Sequence, residues 1–214
     1  MAKAGRASRP GGTASTATRS ALVDAAIESL RFDGFAGASA RAIAARAGSN
    51  QSLVFYHFGS VAELLLAALD AVSARRLQRY SAAVENVDTP DELVRAATEI
   101  FREDLDEGYV TVLVEMIAGA APTPELAAQV AQRIAPWREF AQSTIETAVA
   151  ESPLASMIPV ADAAYAVVAL YLGMEMLSHL DGDRSPALSL FDQAARFATL
   201  FAGGTAAVGT KEAP

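Results

Sequence analysis

Residues 39–58 read SARAIAARAGSNQSLVFYHF, and this stretch decides the fold. Two short helices that cross steeply over a tight turn need a small residue at the crossing, a turn residue tolerant of positive φ, and apolar anchors behind each helix. Ala44 is the small residue, Gly48 the turn and Val54 the anchor, with Ile43, Ala47 and Leu53 as further buried contacts. Ser39 and Asn50 stand where side-chain oxygens cap helix N-termini, so the spacing predicts one helix to Ala47 and another from Asn50 through Tyr56. Polar Asn50, Gln51 and Ser52 then occupy the end from which a recognition helix reaches base edges. The pattern is a helix-turn-helix.

Working outward, Leu22, Ala25, Ala26 and Leu30 recur at helical spacing, predicting a first helix from Thr18 that stops at Asp33-Gly34. Residues 1–16 are Gly-, Ala-, Ser- and Thr-rich with no apolar period and read as a disordered arm. The head is expected over 17–60, a second helical domain over 61–205, and a disordered tail over 206–214. Ser60, with Glu63 three residues on, has the capping-box spacing and opens a long fourth helix. Thr89-Pro90-Asp91-Glu92 caps a helix to about Glu107, and Tyr109–Gly119 is a short apolar helix. Thr123-Pro124-Glu125 starts a helix towards Ser152 with an expected kink at Pro136. Pro159–Leu180 and Ser185–Ala202 complete the chain. No segment alternates with period 2 for the length of a strand, so the fold class is all-α, with about nine helices.

The net charge of −8 argues against a nucleic-acid partner until its distribution is read. Residues 1–60 hold seven basic side chains (Lys3, Arg6, Arg9, Arg19, Arg31, Arg41, Arg46) against three acids (Asp24, Glu28, Asp33). The acidic excess therefore lies wholly beyond residue 60, and the amino-terminal end is the one that meets an anion. The absence of cysteine excludes a disulfide framework and thiolate chemistry. The basic N-terminus lacks an apolar h-region, and the apolar run Ala163–Met174 is short for a bilayer, so a cytoplasmic protein with no membrane partner is expected. His57 and His179 have no ligand spacing, so no metal and no cofactor is expected. No nucleophile–base order, phosphate loop or carboxylate pair marks an enzyme. The run Glu103, Asp104, Asp106 and Glu107 reads as a solvated face.

The same residues carry a resemblance. The first helix RSALVDAAIESLRFDGF, then SARAIAARAG, then LVFYHF followed by Gly59-Ser60 and Glu63-Leu64, resembles the TetR family of regulators over about residues 18–65. The resemblance implies a DNA-binding transcriptional regulator. It places Gln51, Ser52 and Phe55 against bases, where Gln suits adenine and an apolar edge suits a thymine methyl. It places Thr18, Arg19, Ser39, Arg41, Asn50, Tyr56 and His57 against phosphates, which set register and affinity. One feature departs from the family: Val61 or Ala62 takes the place of a phosphate-binding lysine in the first turn of the fourth helix. Arg6 and Arg9 either enter a minor groove in its stead or belong to an inert tail.

The last two helices are apolar nearly all round, through Val160, Ala163, Val167, Val168, Leu170, Tyr171, Met174 and Leu177, then Leu188, Leu190, Phe191, Ala194, Phe197, Ala198, Leu200 and Phe201. Such helices are buried on two sides, either in a four-helix interface of a homodimer (about 160–180 and 186–202) or inside a thick monomeric bundle. The resemblance also implies a ligand pocket between head and interface. Phe101, Leu105, Tyr109, Leu113, Met116, Ile117, Trp137, Phe140, Ile145, Tyr171 and Met174 are its candidates or plain core. Glu115 and Glu175 sit in apolar helices, where a cationic ligand or an internal arginine must meet them. The mechanism implied is a dimeric repressor on a palindromic operator, its recognition helices roughly 34–36 Å apart, released by a small hydrophobic or amphipathic ligand through the fourth helix (Ser60 to about Val84). A ligand-independent architectural DNA-binding protein is the alternative.

Overall fold

The computed structural model describes residues 11–85, 87, 89–150 and 155–206; of the stretch 199–206 only the backbone is described. Among the described residues there are ten α-helices: α1 (Gly11–Gly37), α2 (Ala40–Arg46), α3 (Gln51–Phe58), α4 (Val61–Val84), α5 (Pro90–Glu107), α6 (Tyr109–Ala120), α7 (Pro124–Gln132), α8 (Ala135–Val149), α9 (Val160–Asp181) and α10 (Ser185–Ala206). The all-α class is as expected. Two bounds differ. The expected arm, residues 1–16, overlaps α1 over 11–16, and its first ten residues, with Arg6 and Arg9, lie outside the described residues. Of the expected tail, Ala206 closes α10 and residues 207–214 lie outside.

Local chemistry sets most helix ends. Ser39, Asn50, Ser60 and Thr89 each cap a helix with a side-chain oxygen, accepting from the backbone N–H of Ala42, Ser52, Glu63 and Glu92. α1 breaks at Gly34, whose φ of 70° and ψ of 179° lie in a region open essentially to glycine alone. The helix expected from Thr123 to Ser152 is instead two. α7 ends at Gln132, Arg133 and Ile134 form a turn, and Pro136 stands in the first turn of α8 rather than at a kink. Proline is tolerated there because that N–H lacks a helical partner anyway.

One core runs from the head into the body. Leu22 and Leu30 of α1, Ile43 of α2, Val54 of α3 and Leu64 and Leu66 of α4 are all fully buried together. Burying each such side chain contributes about 1.5–3 kcal/mol. Val112, Met116, Leu126 and Val130 continue the same core through α6 and α7. A smaller cluster of Phe101, Met174 and Ala187 joins α5, α9 and α10. Counted through Asp181 rather than Met174, α9 is long and apolar enough by composition to cross a bilayer, which corrects the shorter reading of its apolar run. Its exposed side includes Tyr165, Val167, Leu170, Met176, Leu177 and Leu180, and α10 exposes Leu190 and Phe197.

Candidate nucleic-acid interface and effector cleft

The turn between α2 and α3 closes as the sequence requires. Gly48 has φ of 60°, and Ser49 N–H reaches back to the Ala44 carbonyl at 2.8 Å, a bond that a left-handed residue between them makes possible. With Val54 buried behind α3, its other side faces outward. Gln51, Ser52, Phe55 and Tyr56 are all exposed, Phe55 by 50% and Tyr56 by 78%. Apolar rings left this open on a small head are surface held for contact. His57 meets the Tyr56 ring edge-on at 4.9 Å, and the Arg19 guanidinium stands 4.9 Å over the Phe58 ring. The end of α1 that carries Arg19 is thus held against the end of α3.

The caps divide the polar groups by task. Ser39 Oγ and Asn50 Oδ1 accept from the backbone, so the Ser39 hydroxyl hydrogen and the Asn50 amide N–H groups are what they present outward. Thr18 donates to the Ala14 carbonyl at 3.0 Å, and its oxygen lone pairs remain as acceptors. Arg41 is exposed on α2. The acids of the head are neutralised internally: Asp24 pairs with Arg75 at 2.9 Å, and Asp33 and Glu28 pair with Arg46 at 2.7 and 3.5 Å. Arg46 is therefore a structural ion pair, and the positive field of the head comes from the remaining arginines. The first turn of α4 is Val61, Ala62 and Glu63, with no lysine.

The family model described as "Bacterial regulatory proteins, tetR family" matches residues 22–68, the segment just built. Over these residues the chain is similar to the TetR family's amino-terminal segment. The match is to the DNA-binding segment of transcriptional regulators. The fold as a whole is shared with solved proteins. A TetR transcriptional regulator from Chloroflexus aurantiacus superposes with a TM-score of 0.72 at 21% identity, over 87% of this chain and 96% of that one. A TetR-family member from Streptomyces coelicolor gives 0.63 at 24% identity, over 83% and 97%. The regulator FadR from Bacillus subtilis, solved with stearoyl-CoA, gives 0.71 at 12% identity, over 83% and 95%. No curated protein matches the sequence.

In the body, a cleft of about 690 Å³ opens between α4, α6, α8 and α9. Of the residues expected to line a pocket, Tyr109, Leu113, Trp137, Phe140 and Tyr171 do so. Phe101 and Met174 are instead packed in the smaller core cluster and Met116 in the large one, Leu105 faces a different cavity, Ile117 is exposed, and Ile145 is not among the lining. Apolar residues at helical spacing look alike in sequence whether they face a neighbour or a void. The lining that sequence reasoning missed comes largely from α4: Leu69, Val72, Ser73, Arg76 and Tyr80.

Arg76 is the polar centre of this region. It is buried, 5.0 Å over the Trp137 ring, and its Nη2 donates to Asp104 Oδ2 at 2.5 Å and to Glu175 Oε1 at 3.3 Å. Tyr80 and Tyr171 also donate to Asp104 Oδ2. The expectation that Asp104 belongs to a solvated acidic face is overturned: its side chain is 1% exposed, because it falls in phase with Phe101 on the inner side of α5. Burial opposes the charge of Arg76, yet Glu175, Tyr80 and Asp104 outweigh that and raise its pKa. Burial drives both tyrosines well above the usual phenol range, so they remain donors. Burial, then the charge of Asp104, pushes Glu175 up to about 8 against the pull of Arg76. Glu175 thus meets an internal arginine, while Glu115 meets a backbone group, the N–H of Phe35 at 2.8 Å.

Proposed function

We propose that this chain is a ligand-responsive repressor that binds a palindromic operator as a homodimer. The observation that carries the DNA contact is the outward end of α3, where Gln51, Ser52, Phe55 and Tyr56 stand open over a head whose acids are all paired. Gln51 and Ser52 read base edges, with Phe55 beside a thymine methyl. Thr18, Arg19, Ser39, Arg41, Asn50, Tyr56 and His57 hold phosphates. The head is residues 17–60 and the sensing body 61–205.

The exposed apolar side of α9 and α10 supports dimerisation through these two helices, since an apolar patch of this extent marks an interaction surface. A second copy covers it in a four-helix interface and sets two recognition helices about one DNA turn apart. As a regulator of DNA the protein acts in the cytoplasm. The cleft takes a hydrophobic or amphipathic effector. Its apolar lining supports this, and the fold of FadR, solved with stearoyl-CoA, offers room for such a molecule in that protein. Occupancy favours a head spacing that does not fit the operator, and by linkage the operator weakens effector binding equally.

The test is a footprint of the purified protein on DNA flanking its own gene, in a salt series. Two protected half-sites one turn apart and a log–log salt slope of several units support the reading. Sequence-independent coverage favours the architectural alternative.

A further inference from the structure

On the other side of the Arg76 cluster from the aromatic cleft lies a second cavity of about 860 Å³, bounded by the end of α5, the start of α6 and the C-terminal half of α9. Leu105, Val110, Val114 and Met176 give it apolar walls, and Asp104 and Glu175 line it as well. Both carboxylates are buried, with side chains 1% and 0% exposed. Each gives one oxygen to the same atom, Nη2 of Arg76, and the other oxygen of each, Asp104 Oδ1 and Glu175 Oε2, is buried with no hydrogen-bond partner.

One guanidinium cannot neutralise two carboxylates. With both ionised, the cluster holds a surplus negative charge and two vacant acceptors away from water. A buried unsatisfied acceptor costs about 1–3 kcal/mol, and a buried uncompensated charge costs more. Something positive must complete the cluster. When nothing else does so, a proton on Glu175 does, which accords with its raised pKa.

We infer that this cavity binds a small organic cation, a protonated amine with an apolar body, whose N–H groups take the vacant oxygens of Asp104 and Glu175. With Glu175 ionised, the cluster's surplus negative charge turns away an anion. Among the described residues no group of three or more His, Cys, Asp or Glu is placed to hold a metal. The aromatic cleft is not the cation's place, because Arg76 already lies over its Trp137 ring. The linings of the cavity and of the cleft have no residue in common, so the inference does not depend on what fills the cleft.

The exchange balances in one step: the ammonium enters, the Glu175 carboxyl loses its proton to solvent, and the ion pair forms. The groups around Glu175 are Arg76 and Tyr80 from α4, Asp104 from α5, and Tyr171 and His179 on its own helix; Arg184 at the rim is paired with Asp106. Of these, Glu175 is the one whose pKa stands at about 8.

The experiment is calorimetric titration of the full-length protein with hexylamine, hexan-1-ol and hexanoate, which share an apolar body and differ in the head. Hexylamine is expected to bind at least about tenfold tighter than either, with affinity rising roughly tenfold per pH unit up to about 8 and then levelling. Repetition in buffers of different ionisation enthalpy is expected to show release of about one proton. Glu175→Gln, which imitates the neutral side chain and retains the fold, removes both the preference and the slope. Equal binding of the three probes overturns the site, as does absence of hexylamine binding at about 10 mM, including by a second copy covering the mouth. An unaltered slope in Glu175→Gln overturns it too.

Discussion

The Glu115 carboxylate of α6 accepts the backbone N–H of Phe35 at 2.8 Å, just past the break in α1, and the Phe35 ring lies in the space left by Gly119 one turn further on. A Cβ at Gly119 would stand 2.0 Å from that ring. These contacts join head to body independently of α4. Since α6 also supplies Tyr109 and Leu113 to the aromatic cleft, a shift of α6 is transmitted to α1.

Gly119→Ala is therefore expected to displace Phe35 and destabilise the fold by about 1–3 kcal/mol, the usual cost of overpacking. Glu115→Ala strands a partly buried N–H at a cost of about 1–2 kcal/mol, and Glu115→Gln, which keeps an acceptor oxygen, recovers most of it. Thermal melts give the stabilities. Operator titration reads the coupling: both damaging variants should bind DNA more weakly although neither residue lies on the DNA-facing side of α3. Unchanged operator affinity in a folded Gly119→Ala protein would leave α4 as the sole connection.

At the head, the variants should separate by kind. Gln51→Ala is expected to cost about 1–3 kcal/mol on the cognate half-site and to relax base preference there. Arg41→Ala should weaken all sequences alike and lower the salt slope by about one per half-site. Fluorescence anisotropy on cognate and scrambled duplexes over a salt series distinguishes them. A sequence-uniform loss in Gln51→Ala would remove that residue from base readout.

The parts of this molecule that could be read from sequence are those whose physics acts within a few residues. Ser39, Asn50, Ser60 and Thr89 bond backbone groups two or three positions on, and Gly48 and Gly34 take positive-φ conformations that favour glycine, so these helix ends are written locally. The Arg76 cluster unites α4, α5 and α9 from distant parts of the chain, and no local period announces it. Two of its members carry a signal: Glu175 is a carboxylate in an apolar helix, and Asp104 falls in phase with Phe101 on the buried stripe of α5, though acids surround it. The turn at Arg133 and Ile134 has neither glycine nor proline, so Pro136 is the one local signal, and a proline alone does not distinguish a kink within one helix from the first turn of another.

Glu175 also governs how stability depends on pH. Its pKa is pushed up to about 8 in the fold, against about 4.3 in an unfolded chain. Between these values the folded state holds a proton that the unfolded state has lost, so stability falls as pH rises from about 4.5 to about 8 and is level above. Glu175→Gln has no such proton. The difference in melting temperature between about pH 5 and pH 8 should shrink in the variant by the equivalent of about 1–3 kcal/mol. An identical pH profile in the two proteins would mean that Glu175 is ionised throughout.

The face formed by α9 and α10 offers the most direct structural test. Leu170 and Leu177 are seven residues apart, on one side of α9, and both are more than half exposed, as is Phe197 of α10. If a second copy covers them, a charge there must be buried without a partner, at a cost well above what one contact in a dimer interface supplies. Leu177→Glu is accordingly expected to sediment as a monomer at micromolar concentration, with the helical content of the monomer retained because its own core lacks this side chain. Operator affinity should fall steeply, since each half-site is then bound alone and the effective concentration of the second head, of order millimolar, is lost. A dimeric Leu177→Glu protein, or a monomer that binds the full operator as tightly as the parent chain, would rule out α9 as the dimer face.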